Sequence, residues 1–453
     1  MRDLTEGSIG RHLAHMSVFI GASMLLQTLY YLVDLYFVAG LGEHALAGVG
    51  AAGTVAFLVL ALTQVLGVGT ATLIAHAVGR KDPADANLVF NQSLLLSAVC
   101  AALVLAGGYA LGDAYMEAIS ADRGTAVEGE IYLHWFLPCL ALQFAAVAMG
   151  SALRGTGIVK PAMAVQALTV LINIALAPIL IAGWGTGRPL GVAGAGLASS
   201  LAIAAGMVIL VGYFVRLEHY VRFDRALWRP RLDTWRRMLD IGLPAGGEFM
   251  LMFVIVGVVY WCVRGFGPDA QAGFGIGTRV MQSIILPAMA LAFAASPIAG
   301  QNFGAGRADR VLETWRITLR WGFVVMLSLT LLCQWRPQLL VGAFTDDPGV
   351  LAAGADYLRI TSWNFVGLGI VFTCSGMFQA IGNTWPALLS SAGRVVTFVV
   401  PAVWLSMQPW VKLEHFWYVS VTSVLLQAAL SWWLLSGEFR RRLAFAPLAP
   451  APR

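Results

Sequence analysis

Between Gly40 and Ala387 the chain repeats itself at a constant offset of 225 residues, with no gap. Gly40-Leu41-Gly42 returns as Gly265-Phe266-Gly267, and Ala47-Gly48-Val49-Gly50 as Ala272-Gly273-Phe274-Gly275. Gly79 returns as Gly304, Gly157 as Gly382, and Pro161-Ala162 as Pro386-Ala387. The repeated segments are apolar runs of about twenty residues or more, the length that crosses a bilayer as a helix. Charged residues make up 12% of the chain and hydrophobic ones 58%, whereas a soluble domain is about 25% charged. The solvent of these segments is lipid. Two equivalent bundles joined by one linker are a layout that secondary transporters use to alternate access to a central site.

The runs predict twelve spans, near 13–39, 46–78, 88–111, 131–152, 160–183, 190–217, 239–263, 271–301, 311–334, 355–381, 385–405 and 413–436. The expected fold is an all-α membrane protein of twelve transmembrane helices in two pseudo-symmetric six-helix bundles. Residues 1–216 would form the first lobe, 217–238 a basic cytoplasmic linker and 239–453 the second lobe. The second and eighth spans are long, and Pro287 and Pro297 should bend the eighth. The polar start followed by an apolar stretch to Ala39 is too long for a cleavable signal. Loop charge sets the orientation. Arg2, Arg11, Arg80, Lys81, Arg154, Lys160, Arg307, Arg310, Arg440-Arg441-Arg442 and the arginine-rich linker share one side. The positive-inside rule makes that side, and both termini, cytoplasmic. The net charge of +5 is explained by this distribution, and nucleic acid is not an expected partner. The linker is amphipathic through Leu217, Tyr220, Phe223, Leu227 and Trp228, and is expected to lie on anionic lipid. The five cysteines are scattered, without a C-x-x-C, and read as packing residues.

An ionisable group at membrane depth costs roughly 2.5–3.5 kcal/mol at a helix centre, so each one asks for a reason. Asp34 follows Ser23, Gln27, Tyr30 and Tyr31 at steps of three and four, on one helical face. A carboxylate on such a stripe is a candidate proton or sodium carrier, against the plainer reading of interhelical glue. Glu248 stands four residues after Pro244 and suits ion coupling or contact with a cationic substrate; its plainer reading is a hydrated acid near the cytoplasmic end. Asn173 could offer a carbonyl oxygen to a cation or a hydrogen bond to Asp34, or act as glue. Arg394 lies deep in the eleventh span, where a structural pairing inside the second lobe is expected. No metal site is expected. No G-x-x-x-x-G-K-[ST], H-E-x-x-H or G-x-S-x-G appears, so the chain is not expected to be an enzyme or to hydrolyse ATP. Energy would come from an ion gradient or from the substrate's own.

Several segments together resemble the multidrug and toxic compound extrusion (MATE) family, with the bacterial DinF-like branch the most similar. These are Leu4-Thr5-Glu6-Gly7-Ser8-Ile9, Leu29 to Asp34 followed by Phe37 to Gly42, Leu153-Arg154-Gly155-Thr156-Gly157 with Pro161, and Gly300 to Arg307. The resemblance covers about residues 4–435 and implies two six-helix lobes around a cavity, with efflux of amphipathic, often cationic, compounds against protons or sodium. It places the family's first-helix acid on Asp34. The partner of Asn173 in the family's fifth-helix acidic pair falls on Ala177, and the family's first-helix proline falls on Phe19. No acid stands between Thr361 and Gln379, where some branches carry one.

The expected function is therefore an ion-coupled antiporter of the bacterial plasma (inner) membrane, working as a monomer in the lipid bilayer, without a cofactor. H+ is favoured over Na+ as the coupling ion. The coupling residues would be Asp34, Asn173 and Glu248. An amphipathic small-molecule substrate would sit between the lobes against Gln27, Tyr30, Tyr31, Met250, Tyr260, Trp261, Met281, Met289 and Trp363, aromatic and Met surfaces that accept varied apolar cations. Met252 and Phe372 are further candidates. The alternatives are a lipid-linked precursor flippase of the same superfamily, which would need a more cationic cavity, and a membrane acyl or glycosyl transferase, whose catalytic acid or His is not found.

Overall fold

The computed structural model describes residues 2–185, 187–218 and 220–444, the side chain of Tyr31 excepted. The described residues form fourteen α-helices and two short 3-10 turns, with no strand. In the first copy these are α1 (Ile9–Ala39), α2 (Glu43–Gly79), α3 (Pro83–Ile119), α4 (Arg123–Gly155), α5 (Lys160–Ile181) and α6 (Val192–Arg216). The second copy has α7 (Leu232–Val263), α8 (Pro268–Gly304), α9 (Ala308–Trp335), α10 (Pro337–Gly342), α11 (Pro348–Thr361), α12 (Asn364–Ala380), α13 (Trp385–Ser406) and α14 (Leu413–Arg442). Eleven of them are long and apolar enough to cross a membrane, and the bent pair α11–α12 supplies a twelfth span. The chain is an all-α, multi-pass membrane protein with six spans in each copy.

The repeat governs the helix ends. Glu43–Gly79 and Pro268–Gly304 begin and end at equivalent positions, as do Lys160–Ile181 and Trp385–Ser406. The reason lies in the residues that stop helices. Gly42 and Gly267 precede the equivalent helices α2 and α8 with φ of 110° and 96°. Gly157 and Gly382 turn the chain before α5 and α13 with φ of 80° and 72°. Such angles suit a residue without a β-carbon. Packing repeats as well. α4 contacts α2, α3 and α6, while its counterpart α11–α12 contacts α8, α9 and α14.

The copies differ at the middle of the fourth span. α4 runs unbroken through Pro138. There the Ser200 hydroxyl donates to Trp135 O at 2.6 Å and accepts from Cys139 N at 3.1 Å, inserting itself into the backbone ladder. The equivalent place in the second copy is Trp363, where α11 and α12 meet at 53°. Backbone freed inside a membrane must find partners. Thr330 donates to Ser362 O at 2.9 Å, and Gln334 reaches the Ser362 hydroxyl at 2.8 Å. α8 continues as one helix through Pro287 and Pro297, and the span that breaks into two helices is the tenth. The short α10 was not foreseen; Pro337 at its start ends the preceding α9.

Two compact units form, and their borders fall inside helices. One holds Val18–Gly246 with the first residues through Asp3; the other holds Leu4–Ser17 and Gly247–Arg453. The linker at 217–238 is thus not the border. The cause is visible along α7. Gly242 lies against Val65 of α2 so closely that a β-carbon would overlap its carbonyl, while Gly247 faces Leu388 of α13. Leu4 N donates to Gln301 Oε1 at 2.9 Å, Asn302 donates to Leu4 O at 3.1 Å, and Arg307 to Thr5 O at 2.7 Å. The N-terminal segment is thereby sewn to the end of α8.

The linker is held by two amides of α3. Asn91 donates to Arg222 O and accepts from Asp224 N, each at 2.9 Å. Gln92 donates to Leu227 O and Arg229 O at 2.6 and 2.8 Å and accepts from Arg231 N at 2.9 Å. Val221 is buried, and the Phe223 ring sits 5.6 Å from Phe90 and 6.0 Å from Phe214. Of the apolar residues expected to face lipid, Tyr220 and Phe223 therefore pack against protein, while Leu217 and Trp228 stay exposed.

Candidate coupling and substrate sites

In the first unit the polar stripe of α1 meets α4. Asp34 is 8% exposed. It hydrogen-bonds with Tyr132 of α4, and its Oδ1 is buried without a hydrogen-bond partner. Tyr30, one turn earlier on the same face, hydrogen-bonds with Cys139. These two stripe residues thus lie along the stretch of α4 that Pro138 loosens. Ser23 instead donates to its own helix at Phe19 O, 3.0 Å away. Gln27 is half-buried on α1, and the Tyr31 side chain lies outside the described residues.

Asn173 is fully buried on α5. Its amide donates to Ser199 of α6 at 3.5 Å, and not to Asp34. Its Oδ1, like that of Asp34, has no partner. Ala177 is buried one turn away and offers no side-chain oxygen. Among the described residues no three His, Cys, Asp or Glu side chains cluster as metal ligands.

The second unit contains a cavity of about 660 Å³ of empty space, its open mouth included. α7 brings Glu248, Phe249 and Met252; α12 brings Phe372, Ser375 and Gln379; α13 brings Ser391 and Arg394. Glu248 is half-buried, and its Oε2 accepts the Ser375 hydroxyl at 2.8 Å. Arg394 joins no ion pair among the described residues; it interacts electrostatically with the Tyr357 phenol of α11, and its buried Nε has no hydrogen-bond partner.

The aromatic and methionine candidates scatter. Met289 lines this cavity, as do Met252 and Phe372. Met250 is exposed on another face of α7. Tyr260 packs edge-on against Phe274, 4.7 Å away, and Met281 accepts the Tyr357 hydroxyl at 3.2 Å. Trp261 lies under the Arg264 guanidinium at 5.5 Å, and Trp363 is exposed at the bend between α11 and α12. Residue type nominated them; only helical phase relative to Glu248 separates Met252 from Met250. Phe293, also in the wall, follows Met289 by four residues and was legible on that ground.

The MatE family model matches residues 20–179 and again 244–404, once in each copy. The chain belongs to the MatE family. It is 25% identical over 420 residues to the probable multidrug resistance protein YpnP of Bacillus subtilis, covering 92% of this chain and 90% of that one. It is 25% identical over 406 residues to the FAD transporter of Shewanella oneidensis, covering 88% of each. A structure described as the outward-facing conformation of a multidrug resistance MATE family transporter superposes with a TM-score of 0.90 at 23% identity, over 98% of both chains. MatE proteins are membrane transporters and not enzymes, and two copies of the family unit account for the 225-residue repeat.

Proposed function

We propose that this MatE protein is an ion-coupled antiporter that exports amphipathic, cationic small molecules across a bacterial inner membrane. Both termini are cytoplasmic in this reading, because the basic loops collect on their side. It works as a monomer. The observation that carries the reading is the Asp34 carboxyl: buried within a span, held by Tyr132, with one oxygen unpartnered. A buried charge is costly unless it is paired, so ion binding there changes which arrangement of the helices is stable. A unit charge moved across the full field is worth about 2.3 kcal/mol per 100 mV. H+ is favoured over Na+ because one carboxylate suffices for a proton, whereas a metal cation needs several oxygens, and Ala177 withholds one. Glu248 and the aromatic walls of its cavity supply the contact for a cationic amphipath. Relatives named for multidrug resistance and for FAD bracket the substrates this reading must cover.

Proteoliposomes containing the full chain and a fluorescent amphipathic cation test it, with pH and sodium gradients imposed separately. A pH gradient should drive uptake in wild type and fail to do so in Asp34→Asn. Drive by sodium alone would overturn the proton assignment, and undiminished transport by Asp34→Asn would overturn the role of Asp34.

A further inference from the structure

The arginine-rich segment between α6 and α7 is built as a fixed strap. Both flanking helices are long and apolar enough to cross a membrane, so the strap lies at the membrane edge. Three amides of α3 hold it. Asn87 Oδ1 accepts from Arg222 N at 2.8 Å, and Asn91 and Gln92 engage the backbone of Arg222, Asp224, Leu227, Arg229 and Arg231. Asn91 Oδ1 also accepts the Trp228 indole N–H at 3.1 Å. These bonds use backbone and indole groups and leave the guanidinium groups out. Arg216, Arg222, Arg225, Arg229 and Arg231 are exposed and join no ion pair among the described residues.

The acids inside the strap do not offset them. Glu218 is buried and accepts from Tyr220 N at 2.9 Å, and Asp224 accepts from Ala226 N at 2.9 Å. Both are spent on the strap's own backbone. Because Tyr220 and Phe223 pack inward, the strap cannot lay a whole apolar face into acyl chains as an amphipathic helix does. What it leaves outward is charge, with Leu217, Trp228 and Leu232 exposed among the arginines. Basic residues beside a span are drawn to the negative surface of an anionic leaflet, and an exposed indole suits the headgroup level. A segment already held in place loses little freedom when its charges are engaged.

We propose that the strap at residues 216–232 binds anionic phospholipid headgroups. Arg225, Arg229 and Arg231 are the principal contacts, because they bracket Trp228 within the stretch that the α3 amides hold. The proposal goes beyond the transport reading and does not rest on it: it needs neither Asp34 nor an ion gradient.

The test melts the full-length protein in dodecylmaltoside micelles with dioleoyl phosphatidylglycerol, dioleoyl phosphatidylcholine, inorganic phosphate or hexaglutamate added. In low salt, phosphatidylglycerol should raise the wild-type melting temperature by roughly 3–6 °C more than phosphatidylcholine does. About 0.5 M NaCl should remove most of that gain, because it screens exposed charge. The variant carrying Arg225→Gln, Arg229→Gln and Arg231→Gln together should melt like wild type without lipid and lose most of the gain. Should that variant fail to fold, each single substitution should lose part of the gain. A variant carrying Arg440→Gln and Arg441→Gln, basic residues at the end of α14, should keep it. Equal gains from the two lipids, or a gain from phosphate or hexaglutamate that matches phosphatidylglycerol, would overturn the proposal. So would a gain retained without the three strap arginines, or one lost equally without the α14 pair.

Discussion

Gly129 lies so close to Gly48 that a β-carbon on Gly48 would stand 2.7 Å from the Gly129 nitrogen. One repeat later, a β-carbon on Gly273 would stand 2.8 Å from the nitrogen of Gly354. The second and fourth spans of each copy therefore touch backbone to backbone, the close approach that small residues allow between membrane helices. Gly48→Ala and Gly273→Ala should each destabilise the protein by about 1–3 kcal/mol, as overpacking does. Gly50→Ala, whose β-carbon meets nothing within 4 Å, should not. Thermal unfolding in detergent separates the three.

Lys81 is the one non-glycine with positive φ among the described residues, at 59°, and its repeat partner Gly306 sits at 70°. The same turn is built once with strain and once without. Lys81→Gly should raise stability by about 1 kcal/mol and Gly306→Lys should lower it similarly. Chemical unfolding of the two variants beside wild type measures both signs.

Gln92 makes three hydrogen bonds to linker backbone. Gln92→Ala strands those groups and should cost about 1–3 kcal/mol. Because the freed segment is rich in arginine, limited trypsinolysis should cut it between Arg222 and Arg237 faster than in wild type. An unchanged cleavage rate would mean that the two α3 amides do not fasten the linker.

Asp122 caps α4: its Oδ1 accepts from Thr125 N at 2.9 Å and its Oδ2 from the Thr125 hydroxyl at 2.7 Å. The Thr125 backbone N–H, then its hydroxyl, hold the Asp122 carboxyl below the usual carboxylate range. A depressed folded value means that the stabilisation is present above the unfolded value, about pH 4, and is lost as pH falls through the folded one. Asp122→Ala should therefore lower the melting temperature at neutral pH. The gap to wild type should narrow below about pH 4 and close once the folded carboxyl is protonated.

Legibility in the sequence followed what each feature depends on. Spans and their ends depend on local runs and on glycines and prolines, so the ends of α2, α8, α5 and α13 could be read from the repeat. The break in the tenth span depends on partners in another helix, Thr330 and Gln334, which no local pattern announces. Pro138 marks the equivalent place, but in the copy that does not break. Asp34 could be singled out because a lone acid in an apolar run stands out by itself. The cavity could not, because it depends on helical phase between segments far apart in sequence: Met252 is in its wall and Met250 is not. Arg394 was visible as a deep charge, and that it meets no carboxylate among the described residues is a three-dimensional fact.

The border between the compact units crosses α1 and α7, not the linker. The unit of duplication and the unit of packing are consequently different objects. A protein severed at the linker would yield two fragments, each one a complete sequence repeat and neither one a complete packed body. The first fragment would carry Leu4–Ser17 away from its partners near Gln301, and the second would carry residues 239–246 away from Val65. Each half holds a piece of the other, so fragments made apart should misfold and fragments made together should complement. The peptide bond between the repeats is dispensable in a way that the exchanged helix ends are not.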